Sequence, residues 1–185
     1  MTLAATIPGY IVGTWTIDAT HSDVSFSVRH MMVSKVKGRF GSFSGSIVTA
    51  PNPADSTVTA EIDLNSIDTN NAQRDGHVRS ADFFEVEKYP SMTFTSTSLE
   101  GAGDDFLVRG DLTLKGITKN IALKVELNGI GPDAYGGTRA GFTATTEISR
   151  KEFGVDIDMP MDGGGVVIGD KIAITLEIEA VLNQA

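Results

Sequence analysis

Apolar and polar residues alternate with a period of two along most of this chain, and nothing else in the sequence narrows the fold as much. The stretch His21 to Ile47 sets the pattern. Val24, Phe26, Val28, His30 and Met32 share one face, and Ser25, Ser27, Arg29 and Met31 share the other. Successive side chains of a strand point to opposite faces, so this is a strand with one buried side. Gly38, Gly41 and Gly45 punctuate the strand that follows. Glycine inside a strand marks a bulge, a bend or a close backbone approach. Kinks of that kind let a sheet curl closed.

The alternation returns six more times. The inward sets are Val58, Ala60, Ile62 and Leu64; Met92, Phe94 and Ser96; Phe106, Val108, Gly110, Leu112 and Leu114; Ile121, Leu123, Val125 and Leu127; Ala140, Phe142, Ala144, Thr146 and Ile148; and Ile172, Ile174, Leu176, Ile178, Ala180 and Leu182. That makes eight long strands, mostly antiparallel because most connections are short. A flat sheet of this size leaves two edges and an uncovered apolar face, and no amphipathic helix is long enough to cover it. The expected fold is all-β, an eight-stranded antiparallel barrel, with a two-sheet sandwich as the alternative. Residues 1–13 read as a flexible N-terminal arm and 14–185 as one domain, a size that suits a single core or cavity.

Two stretches break the pattern. Asp68 to Glu87 has no alternation and reads as a long connection with one or two helical turns, one capped by Thr69 and another by Ser80. Phe83 and Phe84 in that connection need something to pack on. Arg150 to Gly169 is a second long connection, rich in Gly and Asp.

An eight-stranded barrel is either filled by side chains or holds one small ligand. Several inward positions are small: Ala60, Ser96, Gly110, Ala140, Ala144 and Ala180. They suit a channel lined by the larger Phe26, Phe40, Phe43, Phe94, Phe106 and Phe142. A solid core in which small residues interlock with these phenylalanines is the competing arrangement. A channel roughly 25 Å tall suits a long, thin, apolar ligand.

Composition limits the partners. A net charge of −9 argues against nucleic acid. No apolar run reaches membrane-spanning length, so no stable membrane insertion is expected. There are no cysteines, hence no thiol chemistry or disulfides. The N-terminal apolar run lacks a basic flank and is interrupted by Pro8 and Gly9. It does not read as a signal peptide, and a cytoplasmic protein is expected, with a trimmed periplasmic or secreted protein as the alternative.

Candidates for chemistry are few. His21, His30 and His77 show no metal-ligand spacing. His21 reads as ordering a turn. His30, on an apolar face, is either a hydrogen-bonded core residue or a ligand contact. Arg74, His77 and Arg79 could converge on an anionic group, or form a solvated turn with Arg74 paired to Asp75 or Asp82. Arg29, Lys35, Lys37 and Arg39 make the opening hairpin basic, either as a rim for a head group or as an ordinary solvated face. Asp156, Asp158 and Asp162 resemble part of a calcium loop but lack its glycine and glutamate spacing. No nucleophile elbow, phosphate loop or dinucleotide fingerprint is present. No metal, cofactor or catalytic residue is therefore expected. An enzyme using His30 or His77 as general base on a bulky apolar substrate ranks behind a binding protein.

Six ordered blocks carry a family resemblance: W-x-I-D-x-x-H-S at Trp15 to Ser22, FSVRHMMVSKVKGRF at Phe26 to Phe40, SIDTNNAQRDGHVRSADFF at Ser66 to Phe84, YPSMTF at Tyr89 to Phe94, GDLTLKGITK at Gly110 to Lys119, and ISRKEFG at Ile148 to Gly154. Together they resemble the YceI family of bacterial lipid-binding proteins. The resemblance implies a lipocalin-like barrel that binds a long-chain isoprenoid lipid, either an isoprenoid quinone or a polyprenyl diphosphate. The tail would lie inside and the head near a mouth. It also implies a tendency to form homodimers, and no catalytic residues belong to its pattern. Combined with the alternation, it places Phe26, Val28, His30, Phe40, Phe43, Ile62, Phe83, Phe84, Phe94, Phe106, Phe142 and Ile174 along the channel. Arg29, Arg74, His77 and Arg79 are its candidate head contacts. A fatty-acid or fatty-amide binder is the alternative.

Overall fold

The computed structural model describes residues 7–31, 33–157 and 168–184. Met32 of the first inward set, and Asp158 and Asp162 of the calcium-like run, lie outside them. In chain order the elements are β1 (Gly13–Ile17), β2 (Asp23–His30), β3 (Ser34–Phe40), β4 (Phe43–Thr49), β5 (Thr57–Asp63), β6 (Ile67–Asp68), α1 (Ala72–Arg79), β7 (Ser91–Ala102), β8 (Asp105–Leu114), β9 (Ile117–Pro132), β10 (Thr138–Ser149) and β11 (Ile168–Leu182).

Eight strands close into a ring in the order β1-β4-β5-β7-β8-β9-β10-β11, and β11 returns to β1 through Trp15↔Leu182 and Ile17↔Ala180. Each pairing in the ring is antiparallel. Closure removes the edges that an open sheet would expose. The first half of β11 pairs with β2 instead, from Glu177↔Asp23 to Ile172↔Val28, and β2, β3 and β6 continue the sheet beyond the ring.

The stretch His21 to Ile47 therefore does not form two unbroken strands. The chain steps from β1 to β2 through a short 3₁₀ turn, where Asp18 Oδ1 accepts the Thr20 N–H at 3.0 Å. It steps from β3 to β4 at Gly41-Ser42, where Phe40 pairs with Val24 and Ile67 while Phe43 pairs with Ile62. Each long strand changes partner as the ring gives way to the extension.

The connection between β6 and β7 carries a single helix. Asn71, not Thr69, caps α1: its Oδ1 accepts the Arg74 N–H at 2.9 Å. Thr69 is buried, and its hydroxyl and N–H both donate to the buried Asp75 carboxylate. Ser80 ends α1 rather than starting a second helix, because its backbone N–H donates back to His77 O at 3.0 Å. Turns follow, with Glu85 at φ 52° and Pro90 barring helix at Tyr89.

The folded connection and the 3₁₀ turn after β10 (Arg150–Phe153) pack apolar residues against the barrel. Leu64, Ile67, Phe83, Val86 and Phe153 are all buried. Phe26, Phe40 and Phe84 form a ladder of tilted rings with centroids 5.6 Å and 6.4 Å apart. Phe83 and Phe84 thus find the packing partners that their sequence context demands.

Candidate functional site

Inward residues of the ring strands enclose a cavity of ≈ 220 Å³, measured as space for the centre of a water molecule. One water needs roughly 10–15 Å³ on that measure, so the barrel is hollow. Val58, Ala60, Ile62, Phe94, Phe106, Val108, Leu112, Ile121, Leu123, Val125, Ala140, Phe142, Ala144, Ile174, Leu176 and Ile178 all face it. The strand alternation places them there, and the small Ala60, Ala140 and Ala144 widen it.

Of the residues expected along a channel, Phe43, Ile62, Phe94, Phe106, Phe142 and Ile174 line this cavity. Phe26, Phe40 and Phe84 are not among its lining residues, and their ring ladder packs in the core beside it. Phe83 sits outside it too, 5.0 Å edge-on to the His77 ring. Val28 and His30 lie toward the β2–β3 hairpin, where His30 pairs with Ser34 and Ile168.

The four candidate head contacts do not line the cavity either. Arg74 Nε donates to Thr69 Oγ1 at 2.8 Å, and its Nη2 donates to Thr69 O. Arg79 Nε and Nη2 donate to Asn65 O and Ile67 O at 3.1 and 3.2 Å. His77 Nε2 lies 2.9 Å from Asp82 Oδ2. These bonds tie α1 to its own connection. Arg29 is exposed on the outer face of the β2–β3 hairpin, paired with Lys35.

Several lining residues carried no local signal. Ile7, Tyr10 and Ile11 come from the stretch read as an arm, and Pro53 and Ser56 from the β4–β5 loop. Among the described residues, those lining the cavity include no Lys, Arg, Asp, Glu or His. The polar ones, Tyr10, Ser44, Thr49, Ser56 and Thr146, all bear hydroxyls.

Charged groups cluster on the outer wall instead. Arg139 Nη1 lies 2.7 Å from Asp18 Oδ2, and its Nε donates to Asp133 Oδ2 at 2.9 Å. The Arg139 guanidinium, helped by His21, holds the Asp18 carboxyl far below the usual carboxylate range. Arg139, then the Gly137 and Tyr135 N–H groups, lower Asp133 as well. His21 Nδ1 is 2.8 Å from Asp18 Oδ2, so His21 orders the turn after β1 as expected. Asp18, His21 and Glu179 bring potential metal-ligand atoms within 4.8 Å of one another, but Arg139, 3.7 Å from Glu179, already supplies positive charge there.

Comparisons with known proteins agree with this geometry. A YceI-like domain model matches residues 15–180. Protein YceI of Escherichia coli O17:K52:H18 is 44% identical over 143 residues, covering 77% of this chain and 75% of that protein. The crystal structure of Campylobacter jejuni YceI protein superposes with a TM-score of 0.73 at 30% identity, covering 84% of this chain and 90% of that one. A polyisoprenoid binding domain from Saccharophagus degradans, implicated in plant cell wall breakdown, shares the fold at 20% identity with a TM-score of 0.71, covering 94% of this chain and 100% of that one. The matched segment runs from the buried Trp15 on β1 through every later strand of the ring to Ala180 on β11, and the chain belongs to the YceI-like domain family.

Proposed function

We propose that this protein binds an isoprenoid lipid, holding the prenyl tail in the barrel, and sequesters or carries it without transforming it. The observation that carries this reading is the hollow interior, which no charged side chain lines among the described residues. Apolar pockets at barrel mouths are common ligand sites. Each buried CH₂ contributes about 0.8 kcal/mol, so about fifteen carbons contribute on the order of 12 kcal/mol gross. That exceeds the lower estimates of association cost, about 4 kcal/mol. The structural likeness to a polyisoprenoid binding domain supports the same ligand class. The lipid is an isoprenoid quinone or a polyprenyl diphosphate.

A binding role without catalysis is favoured because no acid–base pair faces the cavity among the described residues. His77 is engaged with Asp82, and His30 sits toward the hairpin. The test is organic extraction of freshly purified protein followed by mass analysis, with native mass of the intact complex in parallel. A ligand series stepping by one isoprene unit is the expected result. Delipidated protein with no saturable uptake of any prenyl lipid would overturn the reading.

A further inference from the structure

The β2–β3 hairpin, in the extension beyond the ring, sets cations on one face. Arg29 pairs with Lys35, Ser27 with Lys37 and Ser25 with Arg39. Directly opposed residues of an antiparallel pair share a face, so Arg29, Lys35, Lys37 and Arg39 stand together on the outer one, and all four are exposed. Like charges set directly opposite, as Arg29 and Lys35 are, destabilise a hairpin, so this pairing does not serve the fold. Arg39 has the Asp68 carboxylate 3.8 Å away. Among the described residues, Arg29, Lys35 and Lys37 make no ion pair.

The carboxylates around this face are spent or distant. Asp170, on β11 beside β2, accepts from the Ser149 hydroxyl and the Lys151 N–H and has Lys171 next to it. Asp23 and Glu177 oppose each other where β2 meets the ring. Asp23 is six residues from Arg29, roughly 20 Å along the strand, beyond the screening length of about 8–10 Å. The local cations therefore govern a contact made at the hairpin, although the chain as a whole carries −9. The tip is apolar. Val33 is 88% and Met31 43% exposed. Met31 takes φ 52° and the Val33 N–H donates to His30 O at 3.3 Å, which fixes the turn. Behind it Val28 pairs with Val36, both half-buried and outside the core clusters of the barrel.

We propose that this hairpin docks reversibly on an anionic lipid bilayer, with Arg29, Lys35 and Lys37 at the phosphates and Met31 and Val33 entering the head-group layer. Interfacial binding needs electrostatic attraction together with apolar side chains that can enter the interface, and the hairpin presents both at one place. A nucleic acid would use the cations and leave Val33 in water. Each cation near such a surface strengthens binding roughly five-fold. β3 meets β6 only at Arg39 and Phe40, so its edge from Ser34 to Gly38 is open among the described residues. Lysines also guard open edges, but glutamates guard them equally well, so charge reversal separates the two roles.

The test is co-sedimentation of full-chain protein with vesicles that contain no isoprenoid, made of phosphatidylcholine alone or of equal parts phosphatidylcholine and phosphatidylglycerol. Partition onto the anionic vesicles should be at least about ten-fold stronger at low salt, and most of that gain should vanish at high salt. Lys35→Glu with Lys37→Glu should weaken it at least about ten-fold, and Val33→Ser at least about three-fold. Lys119→Glu with Lys124→Glu, the same charge change on exposed lysines of β9, should stay within about two-fold of the parent. Equal partition onto both vesicle types would overturn the docking surface. So would an equal loss in the β9 variant, which would trace binding to net charge. An unaffected Val33→Ser would assign the cations to an acidic protein or a nucleic acid and overturn the bilayer. A doubled native mass of the parent, lost in Val33→Ser, would assign the tip to a second copy of the chain and overturn it too. Each of these results leaves the prenyl-lipid reading standing, because the vesicles offer the barrel no such ligand.

Discussion

The Phe94 ring on β7 lies across Gly110 on β8. A Cβ added at position 110 would come within 2.6 Å of Phe94 Cε2 and 2.7 Å of Thr95 O. The ring can rotate away, but the backbone oxygen belongs to the β5–β7–β8 ladders and cannot. Gly110→Ala should therefore cost about 1–3 kcal/mol, as overpacking does, and lower Tm by on the order of 5 °C. It should also push Phe94 into the cavity and reduce lipid uptake. Adding Phe94→Ala should recover uptake, because the two sites share one space. Thermal unfolding and lipid titration of the three variants check this; an unchanged Tm in Gly110→Ala would sink the argument.

Ala144 separates a hollow barrel from a filled one. It is 4% exposed, lines the cavity, and pairs with Val125 and Leu176 across β9 and β11. In a packed core a phenylalanine there would cost about 1–3 kcal/mol. In a hollow barrel it occupies empty space, so the ligand-free Tm should hold or rise while lipid affinity falls at least about ten-fold. A large loss of Tm in delipidated Ala144→Phe protein would mean the interior is already full.

The barrel was legible because each ring strand buries one face, and burying one face writes itself as alternation. Ile172 to Leu182 on β11 and Phe106 to Leu114 on β8 are read correctly residue by residue for that reason. Where side chains make bonds across the sequence, local reading fails. Thr69 looks like a cap but spends its hydroxyl on Asp75 six residues on, and the cap passes to Asn71. Ile7, Tyr10 and Ile11 sit in a short run broken by Pro8 and Gly9, with no period. Of these only Ile7 is buried; Gly9 passes against Ile130 and Tyr10 bonds to Ala50 and Ser56, partners that only the closed ring brings near. The break between β3 and β4 follows from a change of partner strand, of which the sequence shows only the glycine Gly41 at the bend.

Asp18 and Arg139, 121 residues apart, give the barrel wall an acid-sensitive tie. The Asp18 pKa is lower folded than unfolded, so the bond's contribution is complete above the unfolded value of about 3.9. It is lost as pH falls from there toward the folded value. Arg139→Gln should lower Tm at pH 7 by about 2–4 °C. The gap between variant and parent should shrink as pH falls below about 4, as Asp18 takes up its proton. Thermal unfolding across that range checks it, and a gap as large at pH 2 as at pH 7 would show that Asp18 is not the group responsible.

Arg150 is 4% exposed, and its guanidinium holds together both flanks of the connection between β10 and β11. Nε donates to Gly169 O at 2.9 Å, Nη1 to Val155 O and Ile157 O at 2.8 and 2.9 Å, and Nη2 to Ile168 O at 3.1 Å. The planar fork reaches carbonyls on two chain segments at once, which a lysine ammonium on a flexible stem cannot match. Arg150→Ala leaves those carbonyls without their donor and should cost about 3–5 kcal/mol. Arg150→Lys should recover only part of that. Hydrogen exchange should locate the damage: the Val155 amide, which donates to Arg150 O at 3.1 Å, and the amides of Ile168 to Lys171 should lose protection before β7 and β8 do. Uniform loss across all strands would instead mean that Arg150 supports the barrel as a whole. Unchanged protection at Val155 would remove the tie altogether.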